Sequence, residues 1–166
     1  MVNALRLLRH LFSDRAAARR AFPPHVLRAI EAEIKAQESR HRGELRFAVE
    51  PSLPLWKLAR RPAPRQRALE VFGRLRVWDT EHNSGVLIYV LLADRSVDIV
   101  ADRGIAARVP QAEWDAVCGA MGEAFRAGEF ERGALDGLRR IGALLARHFA
   151  AGPRNPDELP DAPVML

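Results

Sequence analysis

The stretch WDTEHNSGVLIYVLLADRSVDIVADRG, from Trp78 to Gly104, decides the fold. It opens on a polar, turn-prone segment ending at Gly85 and passes into the apolar run Val86–Ala93. It turns at Asp94-Arg95-Ser96 and continues through β-branched residues to Ala101. Two such runs joined by a short polar connection predict a β-hairpin over about Val86–Ala101. In an antiparallel pair, the start of the first strand and the end of the second share one edge of the sheet. Asp79, Thr80, Glu81 and Asn83 are therefore expected beside Asp102, Arg103 and Gly104. They would form an acidic, hydrogen-bonding rim from residues distant in sequence.

Working outward, Leu45, Phe47 and Val49 alternate with Arg46, Ala48 and Glu50, the pattern of a half-buried strand. Between it and the hairpin, Pro51–Pro64 reads as a loop with a basic cluster at Arg60 and Arg61 and with Trp56 anchored on the core. A helix is expected over about Arg65–Trp78, with Ala68, Val71, Phe72, Leu75 and Trp78 inward. Val26, Leu27, Ile30 and Ile34 mark a helix before the first strand. Trp114, Val117, Met121 and Phe125, then Leu135, Leu138, Ile141, Leu145 and Phe149, mark two helices after the hairpin. A strand–helix–strand crossover makes the first two strands parallel. The expected fold class is α/β: a three-layer α/β/α sandwich on a small mixed sheet, with a parallel crossover plus an antiparallel hairpin. The start of the first strand then lies at the same rim, so His41, Glu44 and Glu38 would join Asp79, Glu81 and Asp102. Open parallel sheets also bind ligands beyond their strand carboxyl ends, which points to the opposite edge near Glu50, Asp94 and Arg95.

Three regions follow: an N-terminal amphipathic helix over 1–22, the α/β domain over 23–150 and an extended C-terminal tail over 151–166. In the first, Leu5, Leu8 and Phe12 share a face and are expected to pack on the domain. A basic amphipathic helix can also lie on a membrane surface, which makes such a surface a candidate partner. The tail, rich in proline and glycine, is expected to be extended and mobile.

Composition sets bounds. The chain has 166 residues, 48% hydrophobic and 28% charged, which suits one soluble globular domain. The apolar run Ser84–Ala93 is too short to span a bilayer as a helix. Arg6, Arg9 and His10 interrupt the N-terminal leucines, so no secretory signal is read and a cytoplasmic location is expected, peripheral to the inner membrane if the first helix engages it. The net charge is +5, with lysine only at Lys35 and Lys57. Acidic residues are scattered throughout, so nucleic acid is not an expected partner. Cys118 is the single cysteine, which leaves no intrachain disulfide and no CxxC motif. It falls mid-helix without a phosphate-cradling loop, which argues against a cysteine phosphatase. P-loop, GxSxG and HExxH motifs are absent.

The pattern ALEVF before Trp78, then NSGVLIY, DRSVDIVADRG and the paired helices WD…FRAGEFERG, resembles the TPM domain family over roughly His25–Phe149. Its relatives include plant thylakoid lumen proteins of photosystem II repair. With WDTE and ADRG, the chain looks more like a stand-alone bacterial branch. The resemblance implies an α/β/α sandwich and two activities, since some relatives bind calcium and some are reported as acid phosphatases. Many are exported and membrane-tethered, a pattern from which this chain departs.

The rim chemistry agrees with a metal role. Asp79, Glu81, Asn83 and Asp102 offer hard oxygen donors suited to calcium or another divalent cation. His41, Glu44, Thr80 and Arg103 are the supporting candidates. Two carboxylates about 4 Å apart repel by about 4 kcal/mol at an effective dielectric of 20, which a metal, an arginine or a proton must offset. Arg103 offers the structural alternative, a salt-bridged turn network. The expected function is a divalent-cation-binding interaction module, with an unidentified protein partner, in membrane or envelope protein maintenance. The alternative is a metal-assisted acid phosphatase-like hydrolase, with Glu81 or Glu44 as base and Arg103 as phosphate ligand. No catalytic residue is assigned.

Overall fold

In the computed structural model, which describes residues 4–59 and 64–166, the chain runs α1 (Ala4–Phe12), α2 (Arg15–Ala21), α3 (Pro24–Glu38), β1 (Glu44–Glu50), α4 (Leu55–Ala59), α5 (Pro64–Arg74), β2 (Gly85–Leu91), β3 (Ser96–Ala101), α6 (Arg103–Ala106), α7 (Gln111–Arg126), α8 (Phe130–His148) and β4 (Val164–Met165). The Arg60–Arg61 cluster and residues 1–3 of the expected first helix lie outside the described residues. The expected hairpin is β2–β3, with Val86 opposite Ala101 and Leu91 opposite Ser96. Its connection is a 3₁₀ turn, Leu92–Asp94, closed by Arg95 at φ 49°. β1 lies parallel to β2, with Glu44 beside Gly85 and Glu50 beside Leu91.

Alternation assigns the two faces of the sheet. Leu45, Phe47, Val49, Val86, Ile88, Val90 and Ile99 pack on the apolar faces of α3, α7 and α8. Ala48, Leu87, Tyr89, Leu91 and Val100 pack on Ala68 and Val71 of α5 and on Leu53 and Leu159. Helices thus cover both faces, as the α/β/α expectation requires. β1 is buried along its whole length, not on one face only. Its charged positions are covered because each finds partners. Glu50 takes two hydrogen bonds from Arg67, at 2.8 and 2.7 Å, and one from the Tyr89 hydroxyl. Burial, then the Glu50 carboxylate, push the Tyr89 pKa up. Arg46 donates to the carbonyls of Pro160 and Ala162 in the tail.

The tail is therefore part of the fold. β4 pairs parallel with the free edge of β1, Ala48 beside Val164 and Val49 beside Met165, which gives a four-stranded order β3-β2-β1-β4. Leu159 is buried among the α5-side core. Asn155 donates to the carbonyls of Glu38 and His41 at 2.8 and 3.0 Å.

Two aromatic assignments change. α5 ends at Arg74 rather than at Trp78. Val77 N donates to Phe72 O and Arg76 N to Gly73 O, with Arg76 left-handed at φ 53°, a Schellman termination. Val77 then fills the core, and Trp78 lies exposed beneath the Arg76 guanidinium. Trp56 is likewise exposed, and the loop is anchored by Leu53 and Leu58 instead.

The N-terminal segment is two helices, because Asp14 accepts from Ala17 N at 2.8 Å and caps α2. Leu5, Leu8 and Phe12 do not pack on the domain as expected; they face outward. α1 is held by its polar side. Arg6 makes a bidentate pair with Asp94, donating from Nε to Oδ1 at 3.0 Å and from Nη2 to Oδ2 at 2.7 Å. His10 reaches Asp94 through Nε2 at 3.2 Å and accepts from Leu53 N through Nδ1 at 3.0 Å. Burial alone would raise the Asp94 pKa, but the bonds to His10 and Arg6 outweigh it and hold the carboxyl well below its usual range. This pair is part-buried, so its loss should cost about 2 kcal/mol, between exposed and buried cases. Asp94→Ala is expected to speed amide exchange across α1 roughly thirtyfold while the β-strands stay protected. Unchanged exchange in α1 would show that something else holds the helix.

Candidate functional site

The rim forms where the strand pairing requires it. Glu44 N donates to Ser84 O at 3.0 Å and Asp102 N to Gly85 O at 2.8 Å, which fixes the starts of β1 and β2 and the end of β3 side by side. Its side chains divide into two groups, one on either side of the β2 start.

The first group is the turn pair at Asn83 and Asp102. Thr80 Oγ1 accepts from Ser84 N at 2.9 Å, closing the turn before β2. Asn83 is left-handed at φ 51°, a conformation asparagine tolerates better than most residues. Its Oδ1 accepts from Arg103 Nε at 3.0 Å, and its carbonyl accepts from Gly104 N at 3.1 Å. A Cβ at Gly104 would lie 2.5 Å from His82 O and 2.6 Å from Asn83 O, so this approach needs glycine. Asp102 caps α6 through Oδ1, which accepts from Arg103 N at 2.7 Å, whereas its Oδ2 is buried without a hydrogen-bond partner. Asp79 lies exposed, 3.5 Å from Arg76. The Glu81 side chain is exposed, and its backbone N donates to Glu158 Oε2 at 2.8 Å.

The second group is an acidic cluster on the far side of β1. Glu38, at the end of α3, Glu44, at the start of β1, and Asp157, in the tail, each bring an oxygen within 4.8 Å of the others. Glu38 Oε1 accepts from Leu45 N at 2.7 Å. Glu44 Oε2 accepts from Glu158 N and Leu159 N, both at 3.0 Å. Burial, reinforced by the charges of Glu44 and Asp161 and opposed by the Leu45 amide, pushes the Glu38 pKa up to about 9. Burial also raises Glu44, against the pull of its two amide donors. Near neutral pH, Glu38 therefore carries a proton where three carboxylates converge.

Sequence reasoning placed Glu38 and Glu44 at this edge but missed Asp157. The signal lay in DELPDAPV, where Leu159 and Val164 offered apolar anchors for the tail. His41 sits at the same edge, fully buried. Its Nδ1 accepts from Gly43 N at 3.1 Å while Nε2 has no partner. Burial lowers its pKa to about 4, so the ring is neutral. Burial also raises the Cys118 thiol to about 11, consistent with an inert residue packed against the core.

At the opposite edge, beyond the strand carboxyl ends, Glu50 and Asp94 are taken by the pairings described above. Arg95 Nη1 donates to Arg126 O at 2.7 Å. A cleft of about 710 Å³ opens there, lined by Arg9, Arg20, Arg95 and Arg126 among others.

A sequence model described as the TPM domain matches residues 19–144. The solved structure of BA42, a protein of the psychrophilic bacterium Bizionia argentinensis determined by NMR, is similar to the chain with TM-score 0.75 and 30% identity. The match covers 85% of this chain and 92% of that one. No curated protein sequence matches the chain. Among the described residues, no helix is long and apolar enough to cross a membrane.

Proposed function

The chain belongs to the TPM domain family, and from that membership and the rim geometry we propose that it is a divalent-cation-binding interaction module, with calcium as its ion. The observation that carries this reading is the convergence of Glu38, Glu44 and Asp157 within 4.8 Å. Oxygens bound to one calcium at 2.3–2.6 Å lie up to about 5 Å apart, so this spacing fits a shared ion. An incoming cation would displace the Glu38 proton, which burial and then the neighbouring carboxylates now retain, and would supply the charge that an ionised Glu38 lacks there. Asp157, exposed at the surface, would be the entry ligand.

The pair Asn83 and Asp102, with Asp79 and Glu81 in the preceding loop, is the second candidate donor set. Its support is the buried Asp102 Oδ2 that lacks a partner. Phosphoester hydrolysis would need a water-activating base and a phosphate ligand besides the ion. Glu44 is held by two backbone amides and Arg103 by Asn83, so cation binding comes first.

Calcium titration followed by amide NMR tests both sets together. Shifts at Leu45, Glu158 and Leu159 that vanish in Glu44→Gln are expected. A native-state ligand at a hundredfold excess over Kd stabilises by about 2.7 kcal/mol, so the melting temperature should rise at constant ionic strength. Shifts confined to 79–84 and 102–104, lost in Asp102→Asn, would move the ion to the turn pair. No shift and no thermal response at millimolar calcium would refute the function, and p-nitrophenyl phosphate turnover under those conditions would favour the hydrolase.

A further inference from the structure

α1 is mounted with its apolar side out. At 100° per residue, Leu8 lies two residues from both Arg6 and His10, on the side of the helix away from them. Arg6 and His10 are the residues that bind Asp94, so the stripe centred on Leu8 points away from the body. Leu5 is 54% exposed, Leu8 49%, Leu11 54% and Phe12 78%. Large apolar residues scattered singly over a surface are ordinary, but a contiguous stripe on one helix marks a contact surface.

The surroundings say what that contact is. Arg9 flanks the stripe, and Arg15, Arg19 and Arg20 follow on α2; all four are exposed, and Asp14 is the one acidic residue between Ala4 and Phe22. Arg9 and Arg20 also line the cleft of about 710 Å³ in which Arg95 and Arg126 add two further cations. The acidic residue of that cleft, Asp94, is already neutralised by Arg6. Apolar residues flanked by arginines suit an interface where acyl chains meet anionic headgroups. A second protein chain would require a matching acidic, apolar groove. A second copy of this chain would bring its own arginines against these.

We propose that α1 is a peripheral anchor for anionic lipid surfaces. Leu5, Leu8, Leu11 and Phe12 enter the acyl boundary, and the arginine-lined cleft takes headgroup phosphate. This inference does not depend on the cation reading, because the rim and α1 lie at opposite edges of the sheet.

The test is co-sedimentation of the full chain with vesicles of equimolar phosphatidylglycerol and phosphatidylcholine, compared with phosphatidylcholine alone. Binding to the anionic vesicles at least about tenfold stronger, and weakened by salt, is expected. Leu8→Gln and Phe12→Gln should each lower partitioning by about tenfold or more, the effect of withholding one large apolar side chain from lipid. Both residues are exposed, so circular dichroism and melting temperature should be unchanged. Equal binding to the two vesicle types, or no binding, would overturn the proposal. So would a dimer in sedimentation equilibrium that either variant abolishes, because the stripe would then belong to a second copy. Binding of free glycerol phosphate without vesicle binding would reassign the cleft to a soluble phosphoryl ligand and remove the lipid role.

Discussion

Gly85→Ala is expected to be the most destabilising of the glycine-to-alanine changes in this fold. A Cβ at this position would lie 1.9 Å from Val77 O and 2.9 Å from Val77 C, contacts with backbone rather than with the end of a flexible side chain. Neither partner can give way cheaply. Val77 is buried and fixed by the Schellman turn that ends α5. Gly85 stands where β1 and β2 start and its carbonyl accepts from Asp102 N. Relief requires moving a helix end or three strands together, so a loss of about 3 kcal/mol or more is expected in urea unfolding, at or above the top of the usual cost of overpacking. Gly73→Ala is the control within the adjoining helix. A Cβ there meets nothing within 4 Å, and alanine should stabilise by about 0.5–1 kcal/mol through helix propensity. If Gly85→Ala shifted the urea midpoint no more than Gly73→Ala, α5 and β2 would not be locked together at this point. The same contact links fold to site, because it sets the register that brings Asp102 beside the β2 start.

The hairpin was legible because local patterning suffices to specify it: Val86–Leu91 and Ser96–Ala101 differ from their flanks in hydrophobicity and branching. Parallel pairing of β1 followed from the helix that connects it to β2. Alternation in β1 was legible too, but it reads charged positions as solvent-facing. Arg46 and Glu50 are buried because the tail and Arg67 supply partners from distant parts of the chain. For α1, periodicity identified the apolar stripe and could not tell which way it points. That choice rests on Asp94, 88 residues beyond Arg6, binding the opposite side. At the rim, strand pairing located backbones and therefore placed Asp102 near Asn83. Side-chain partnerships were decided by short-range competition: Asp79 meets Arg76, and Asp102 caps α6. Asp157 reached the rim only because two-residue β4 and Leu159 bind the tail down, signals too short and too interrupted by proline to read as structure.

Stability measured against pH is expected to change little between about pH 4.5 and 6.5, where the Glu38 and His41 slopes cancel and Glu44 adds a decline, and to fall by about 3 kcal/mol from pH 6.5 to 9. Glu38 moves from an ordinary value of 4.5 to about 9 on folding. Between those values the native state holds a proton that the unfolded chain has released, so stability declines as pH rises, by up to about 1.4 kcal/mol per unit. Its contribution is fully present below pH 4.5 and is lost as pH rises through 9. His41 moves from 6.5 down to about 4, and there the unfolded chain binds the extra proton. Its contribution is present above pH 6.5 and lost as pH falls through 4, so the two slopes oppose one another in the shared window. Glu44, also raised, acts in the same sense as Glu38. Glu38→Gln keeps an oxygen to accept from Leu45 N but carries no titrating proton. This variant should lose most of the alkaline decline and keep the His41 rise, with Glu44 the raised group that still opposes it. Calcium should act on the same limb, since an ion among Glu38, Glu44 and Asp157 replaces that proton. Affinity should then climb up to tenfold per pH unit between pH 6.5 and 9, and millimolar calcium should restore much of the lost stability. An alkaline decline that persists in Glu38→Gln would place the proton on another group. A decline that vanishes in the variant but is untouched by calcium in the wild type would leave Glu38 as a buried acid that clamps α3 to β1, with the ion sought at Asn83 and Asp102.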